Sequence, residues 1–284
     1  MERIGEEELG RYVKAALAED VGPGDVTTGA VVPSGATATA VMVAREPLVV
    51  AGLMLAEAAF KALDGRARVK RLAKDGQIVR SGAVLLEVNG RAAALLTAER
   101  TALNFVQRLS GIATLTAKYV AAVRGTKAQI LDTRKTTPGL RRLEKYAVAC
   151  GGGRNHRFGL YDQVLIKDNH LALLGRNSAN PIAEAVQMAR KRYPRLKVEV
   201  EAETIEQVRQ AVEAGADIIL LDNMPLRTLR QAVKLVGGRA KTEASGGITL
   251  ETVRAVAKTG VDYISVGALT HSARAMDIAL DFAG

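Results

Sequence analysis

The chain has no tryptophan, and aromatic residues make up only 4% of its 284 positions. Proteins that read nucleic acid interleave aromatics with basic runs or carry a recognisable binding motif. Neither is present here, although Lys and Arg number 40 against 30 Asp and Glu, a formal net charge of +10. The excess of positive charge therefore points to small anionic substrates. A single cysteine, Cys150, excludes an internal disulfide framework and suits a reducing compartment, where the residue serves helix packing. The longest apolar run, Leu48 to Ala56, falls far short of the roughly 20 residues that span a bilayer. The acidic opening MERIGEEELG lacks the apolar stretch of a signal peptide. These absences predict a cytoplasmic protein with neither membrane nor nucleic-acid partners.

What is present is globular: 48% hydrophobic and 25% charged residues, enough for one large or two ordinary domains. Residues 1 to about 110 read as one unit. Glu6 to Glu19 has the spacing of an amphipathic helix, with Leu9, Tyr12, Val13, Ala16 and Leu17 on one face. Residues 19–28 read as a turn-rich loop. β-like segments follow at 38–44, 68–72 and 84–88, interrupted by a helix over 52–63. Residues 75–88 look like two short strands joined at Gly82, a hairpin of structural character. Residues 94–123 form a long helical segment.

From Ala128 onward strands and helices alternate. The strand-like segments are 128–131, 164–166, 197–200, 217–221, 241–244 and 263–266. Asn180-Pro181, the Thr204/Gln207 capping box and Pro225 signal helix starts between them. Short apolar strands in βα repeats predict a parallel α/β barrel or an open doubly wound sheet.

The residues at the strand ends carry the functional signal. They are Thr133-Arg134-Lys135, Lys167-Asp168-Asn169, Glu201, Asp222-Asn223, Ser245-Gly246-Gly247 and Gly267-Ala268. In a barrel these share the face on which catalytic residues sit. Arg134, Lys135, His156, Arg157 and Lys167 suit carboxylates or phosphates, because Arg grips a planar carboxylate with two parallel hydrogen bonds and Lys acts as a point charge. Glu201 and Asp222 suit ribose hydroxyls or a hard cation. The glycine-rich turns leave backbone N–H groups for a phosphate at a helix start. A carboxylate-bearing ligand, a phosphorylated sugar and Mg²⁺ together describe phosphoribosyl transfer to a small acid. A relative on the same scaffold using another acid, and a polyanion binder, are the alternatives.

The stretches EDVGPGDVTT, ERTALNFVQRLSGIAT, DTRKTTPGLR, GGGRNHRFGLYD, KDNH, VEVE, LDNM, EASGGI and SVGALTHS run from residue 19 to 272. In this order they closely resemble the quinolinate phosphoribosyltransferase family. The resemblance implies a type II phosphoribosyltransferase-like fold: an N-terminal α/β sandwich over 1–110, an incomplete seven-stranded α/β barrel over 111–270, and a tail, 271–284, packed back on the first domain. It implies a homodimer with shared active sites, and Mg²⁺ but no organic cofactor. Carried over, Arg134, Arg157 and Lys167 bind the quinolinate carboxylates, joined by Arg100 of the neighbouring subunit. Lys135 and His156 face the pyrophosphate or the substrate junction, with Thr133 beside them. Glu201 and Asp222 take the ribose hydroxyls and Mg²⁺, while Ser245, Gly246, Gly247, Val266, Gly267 and Ala268 take phosphate. Lys135, Lys167, Glu201 and Asp222 form the expected catalytic set.

Overall fold

A computed structural model describes residues 4–174 and 180–282. Two compact units divide the chain. The first comprises 1–117, 142–152 and 272–284, and the second 118–141 and 153–271. The division into compact units falls within a helix after Ala117, and the first unit also takes in a short segment from the middle of the chain.

In the first unit, helix α1 spans Glu6–Val21 and α2 Val26–Val31. The expected loop over 19–28 shrinks to four residues, because Asp25 caps α2 by accepting from the Thr28 amide at 2.9 Å. Strand β1 spans Thr37–Ala44, β2 Leu48–Val49, β3 Arg68–Arg71, β4 Ile78–Val79 and β5 Val84–Arg91, with α3 at Leu53–Leu63. A four-stranded antiparallel sheet runs in the order C-terminal strand (Ile278–Phe282), β1, β5, β3. The expected hairpin about Gly82 does not form: β4 pairs with β2, while β5 pairs with β1 and β3. Adjacency in sequence made the hairpin plausible, but each strand finds its partners elsewhere, and Val79 and Leu85 are buried in different sheets. Phe60, Leu53 and Leu55 of α3 and Leu85 and Leu86 of β5 are fully buried. Each such side chain contributes about 1.5–3 kcal/mol of transfer free energy.

Helix α4 spans Ala92–Ala122, 31 residues. Helix α5, Arg141–Cys150, falls almost wholly in the first unit. There Glu144, fully buried, accepts from Arg108 at 2.9 Å, and the Tyr146 hydroxyl donates to Asp75 at 2.8 Å. Gly151 has no room for a side chain: a Cβ would lie 2.4 Å from the Ala113 carbonyl oxygen. Burial pushes the Cys150 thiol up to about 12, consistent with an unreactive packing role.

The second unit is a parallel sheet of β6 (Gln129–Leu131), β7 (Val164–Ile166), β8 (Val198–Ala202), β9 (Ile218–Asp222), β10 (Lys241–Ser245) and β11 (Tyr263–Ser265). Its order is β6-β11-β10-β9-β8-β7. Among the described residues the sheet has six strands, where the family resemblance implied seven. The place of a seventh is held by one residue, Arg154, which bridges Leu131 in parallel and exchanges backbone bonds with Ile130 and Asp132. The flanking Gly151-Gly152-Gly153 run explains its brevity, since glycine is a poor strand former. Thr204 and Gln207 form the expected capping box, and Asn180 caps its helix by accepting from Ala183 at 3.1 Å.

Candidate active site

All six strands of the second unit run the same way, so their C-terminal ends converge. A cavity of about 830 Å³ lies at these ends. Its lining includes Thr133, Arg134, Lys135, His156, Arg157, Lys167, Glu201, Asp222, Ser245, Gly246, Gly247, Val266, Gly267 and Ala268. Every expected site residue is therefore brought together except Arg100, which lies exposed on α4 in the first unit.

On the cationic side, Arg134 and Arg157 each carry a buried Nε–H with no hydrogen-bond partner among the described residues. Burial pushes the Arg157 pKa down, the neighbouring Arg134 pushes it further, and the charges of Glu199 and Asp162 oppose both. Two guanidiniums close enough to repel, with donors left over, form a site suited to an anion. Lys167 reaches across to Glu201 and pairs with its Oε2. The acidic and basic sides are thus linked through this pair and not separated as the strand ends alone suggested. His170 is used locally, its Nδ1 accepting from the Lys167 amide at 2.9 Å.

On the opposite side, Glu201 and Asp222 lie inside β8 and β9, not after them. Asn223 adopts a left-handed backbone, with φ of 52°, and its side chain donates to Asp222 Oδ2 at 2.7 Å. The Gly246–Gly247 turn packs on this amide, with φ of 95° and 58°. Among the described residues the amides of Gly246, Gly247, Gly267 and Ala268 donate to no protein acceptor. These turns do not feed long helices: the next helices are only Val253–Ala257 and Ala268–His271. Phosphate capacity therefore rests on the bare amides of the turns and not on a helix dipole.

Two acids of the interior escape the pattern of strand ends. Glu199 and Glu243 are 0% and 1% exposed. Glu199 shares a face of β8 with Glu201, two residues on, so the alternation in VEVE was its signal. Burial, and next the charge of Glu199, push the Glu243 carboxyl well above its ordinary value, against the opposing pull of His156 and Ser265. Ligand atoms of His156, Glu199 and Glu243 lie within 4.8 Å of one another. His156 Nε2 faces Glu199 Oε2 at 3.1 Å, and Gln163 donates to the same oxygen at 2.6 Å, so this group is bonded internally.

Residues 112–281 match the family model of the quinolinate phosphoribosyl transferase C-terminal domain, and residues 25–110 that of its N-terminal domain. The chain belongs to the quinolinate phosphoribosyltransferase family. It is 46% identical over 275 residues to the probable nicotinate-nucleotide pyrophosphorylase (carboxylating) of Bacillus subtilis, covering 96% of this chain and 93% of that one. Identity to the nicotinate-nucleotide pyrophosphorylase (carboxylating) of Mycobacterium leprae is 49% over 277 residues, covering 95% of each. Among solved structures, NadC from Streptococcus pyogenes superposes with a TM-score of 0.94 at 41% identity, covering 100% of both chains. The nicotinate-nucleotide pyrophosphorylase of Francisella tularensis gives 0.93 at 40%, covering 99% of this chain and 98% of that one. Quinolinate phosphoribosyltransferase membership is thus carried by both domains, and the α/β sandwich and incomplete barrel are the family's type II phosphoribosyltransferase fold.

Proposed function

We infer that the protein transfers phosphoribosyl from phosphoribosyl pyrophosphate to quinolinate with decarboxylation, giving nicotinate mononucleotide, pyrophosphate and CO₂ for NAD biosynthesis. The observation that carries this reading within the molecule is the pair of buried, unpartnered Nε–H groups of Arg134 and Arg157 in the cavity. A dicarboxylate satisfies both and removes their mutual repulsion. The named activity of the relatives supplies the rest.

The residues divide the work as follows. Arg134, Arg157 and Lys167 hold the two carboxylates and bring the pyridine nitrogen to ribose C1. The nitrogen lone pair forms the new bond as the C1–oxygen bond to pyrophosphate breaks. Glu201 and Asp222 stabilise positive charge at the ribose, and Lys135 and the glycine-turn amides receive the phosphates. The ring nitrogen is then positive and accepts the electron pair of the adjacent carbon–carboxylate bond. CO₂ leaves, and the ring carbon takes a proton. No organic cofactor is required.

Mg²⁺ fits the acidic side by donor chemistry. Glu201 gives one oxygen to Lys167 and Asp222 one to Asn223, leaving each with an oxygen that no donor takes among the described residues. Hard divalent cations of this size use one or two carboxylates plus substrate phosphates. Bound there, the ion would neutralise charge on the departing pyrophosphate.

A two-fold homodimer is part of the proposal, with Arg100 of each copy entering the other's cavity. Its support is that Arg100 is exposed and forms no hydrogen bond or ion pair among the described residues. A cytoplasmic location is proposed on the lone, buried Cys150. Among the described residues no helix is long and apolar enough to cross a membrane. The test of the activity is release of labelled CO₂ from ring-carboxyl quinolinate. Release that requires phosphoribosyl pyrophosphate supports the assignment, and release from neither substrate combination rejects it.

A further inference from the structure

Beneath the cationic side of the cavity, four hydrogen bonds and one imidazole–carboxylate contact hold one small group of residues. The Arg157 amide donates to His156 Nδ1 at 2.7 Å. His156 Nε2 lies 3.1 Å from Glu199 Oε2. Gln163 Nε2 donates to that same oxygen at 2.6 Å, and the Gln163 carbonyl accepts from Arg157 Nη1 at 3.2 Å. These four contacts close a ring that begins at the Arg157 backbone and ends at the Arg157 guanidinium. The fifth, from the His156 amide to Asp132 Oδ1 at 2.8 Å, ties the ring to the end of β6.

The ring assigns protons. Because Nδ1 accepts the Arg157 amide it carries no hydrogen, so the hydrogen is on Nε2, which faces Glu199 Oε2 at 3.1 Å and Glu243 Oε1 at 3.6 Å. Both ring nitrogens of His156 are therefore engaged within the protein. Glu199 is fully buried and does not line the cavity, so it reaches the substrate only through its neighbours. Its Oε2 is the one acceptor that His156 and Gln163 share.

We propose that Glu199 is a positioning residue for the acid-binding end of the site: it fixes the Nε2–H tautomer of His156 and, through that ring, sets the Arg157 guanidinium in place. The proposal rests on the reading of the cavity as the quinolinate site. It also makes an uncommon demand, since a buried carboxylate is placed under a site for a dianion. By Coulomb attraction alone, removing that negative charge strengthens anion binding. Positioning requires the opposite whenever the acceptor oxygen is lost.

Two variants separate these effects. Glu199→Leu removes both charge and acceptor, whereas Glu199→Gln removes the charge but keeps an oxygen where Oε2 sits. Quinolinate binding to each protein is measured by calorimetry, with phosphoribosyl pyrophosphate affinity as the internal reference. The proposal expects Glu199→Leu to lose roughly tenfold or more in quinolinate affinity, Glu199→Gln to stay within about threefold, and the reference to hold in both. Equal behaviour of the two variants, or tighter quinolinate binding by Glu199→Leu, overturns it. Nitrogen-15 spectra of the wild-type protein give a check that the folding of the Glu199 variants cannot obscure. The chain has three histidines, so the His156 signals are identified by their loss in His156→Asn. One bare Nδ1 and one protonated Nε2 are expected at neutral pH, and a protonated Nδ1 overturns the proposal. A wild-type protein that binds no quinolinate refutes the reading of the cavity, whereas normal binding by both wild type and Glu199→Leu refutes the positioning role alone.

Discussion

Replacing Gly246 with alanine tests whether the phosphate turn and the ribose carboxylate form one device. Gly246 has φ of 95°, a conformation costing a side-chain-bearing residue about 1–2 kcal/mol. The larger effect is contact: an added Cβ would lie 2.0 Å from Asn223 Oδ1 and 2.5 Å from its Cγ. No adjustment of a few tenths of an ångström relieves that, so the Asn223 amide must swing away. It then releases Asp222, to which it donates at 2.7 Å. A hydrogen bond to a charged acceptor is worth about 1.5–3 kcal/mol, which corresponds to roughly ten- to hundredfold in affinity. Gly246→Ala should therefore weaken phosphoribosyl pyrophosphate binding by that factor, with quinolinate affinity within about threefold of wild type. Asn223→Ala should reproduce the defect, and the double variant should be no worse than either single one, because both remove the same interaction. Calorimetric titration of each variant with each substrate measures this. Additive defects, or normal phosphoribosyl pyrophosphate affinity in Gly246→Ala, would refute the reasoning.

Four further outcomes are expected. Lys167→Ala should fold normally and lose about a hundredfold or more in turnover, the scale of a lost charged transition-state contact of about 3 kcal/mol; a steady-state assay beside a circular-dichroism melt decides it. Asp222→Ala should raise the Mg²⁺ and phosphoribosyl pyrophosphate requirements more than the quinolinate requirement, and equal effects on both substrates would contradict the division of labour. Arg100→Ala and Lys167→Ala, each nearly inactive alone, should complement when co-expressed: random pairing makes about half the dimers mixed, and about a quarter of all sites then carry neither defect. Absence of complementation, with mixed dimers shown to form, would confine Arg100 to its own chain. Glu243→Gln should change the pH dependence of stability. The folded protein raises this carboxyl above its ordinary value, so the native state binds more protons than the unfolded one and stability falls as pH rises through that window. The thermal midpoint of wild type should accordingly drop relative to Glu243→Gln from mildly acidic to mildly alkaline pH, and parallel curves would argue against a protonated Glu243.

Much of the catalytic unit was legible because its strands are short apolar segments with polar ends, a pattern that packing alone does not favour. The ends were placed one or two residues early. Glu201, Asp222 and Ser245 pair within the ladder, and their polarity disguised them as loop. Glu199 and Glu243 stayed hidden because a barrel interior is expected to be apolar, and only the alternation in VEVE hinted otherwise. Pairing was the hardest feature to read: β4 and β5 follow one another but belong to different sheets, a choice made by distant partners. The loop over 19–28 failed for a local reason, since Asp25 followed three residues later by Thr28 is a helix cap.

The first unit is assembled from three separated stretches, and its sheet places the strand Ile278–Phe282 beside β1. During synthesis β1 leaves the ribosome some 240 residues before its outer partner, as the positions 37–44 and 278–282 show. For that interval one side of β1 presents bare amides and carbonyls, the kind of edge on which chains aggregate. The barrel segments emerge in between and can fold first, so the order of maturation runs against the order of the sequence. Loss of the last few residues would thus be felt at the beginning of the chain, as an open seam along β1.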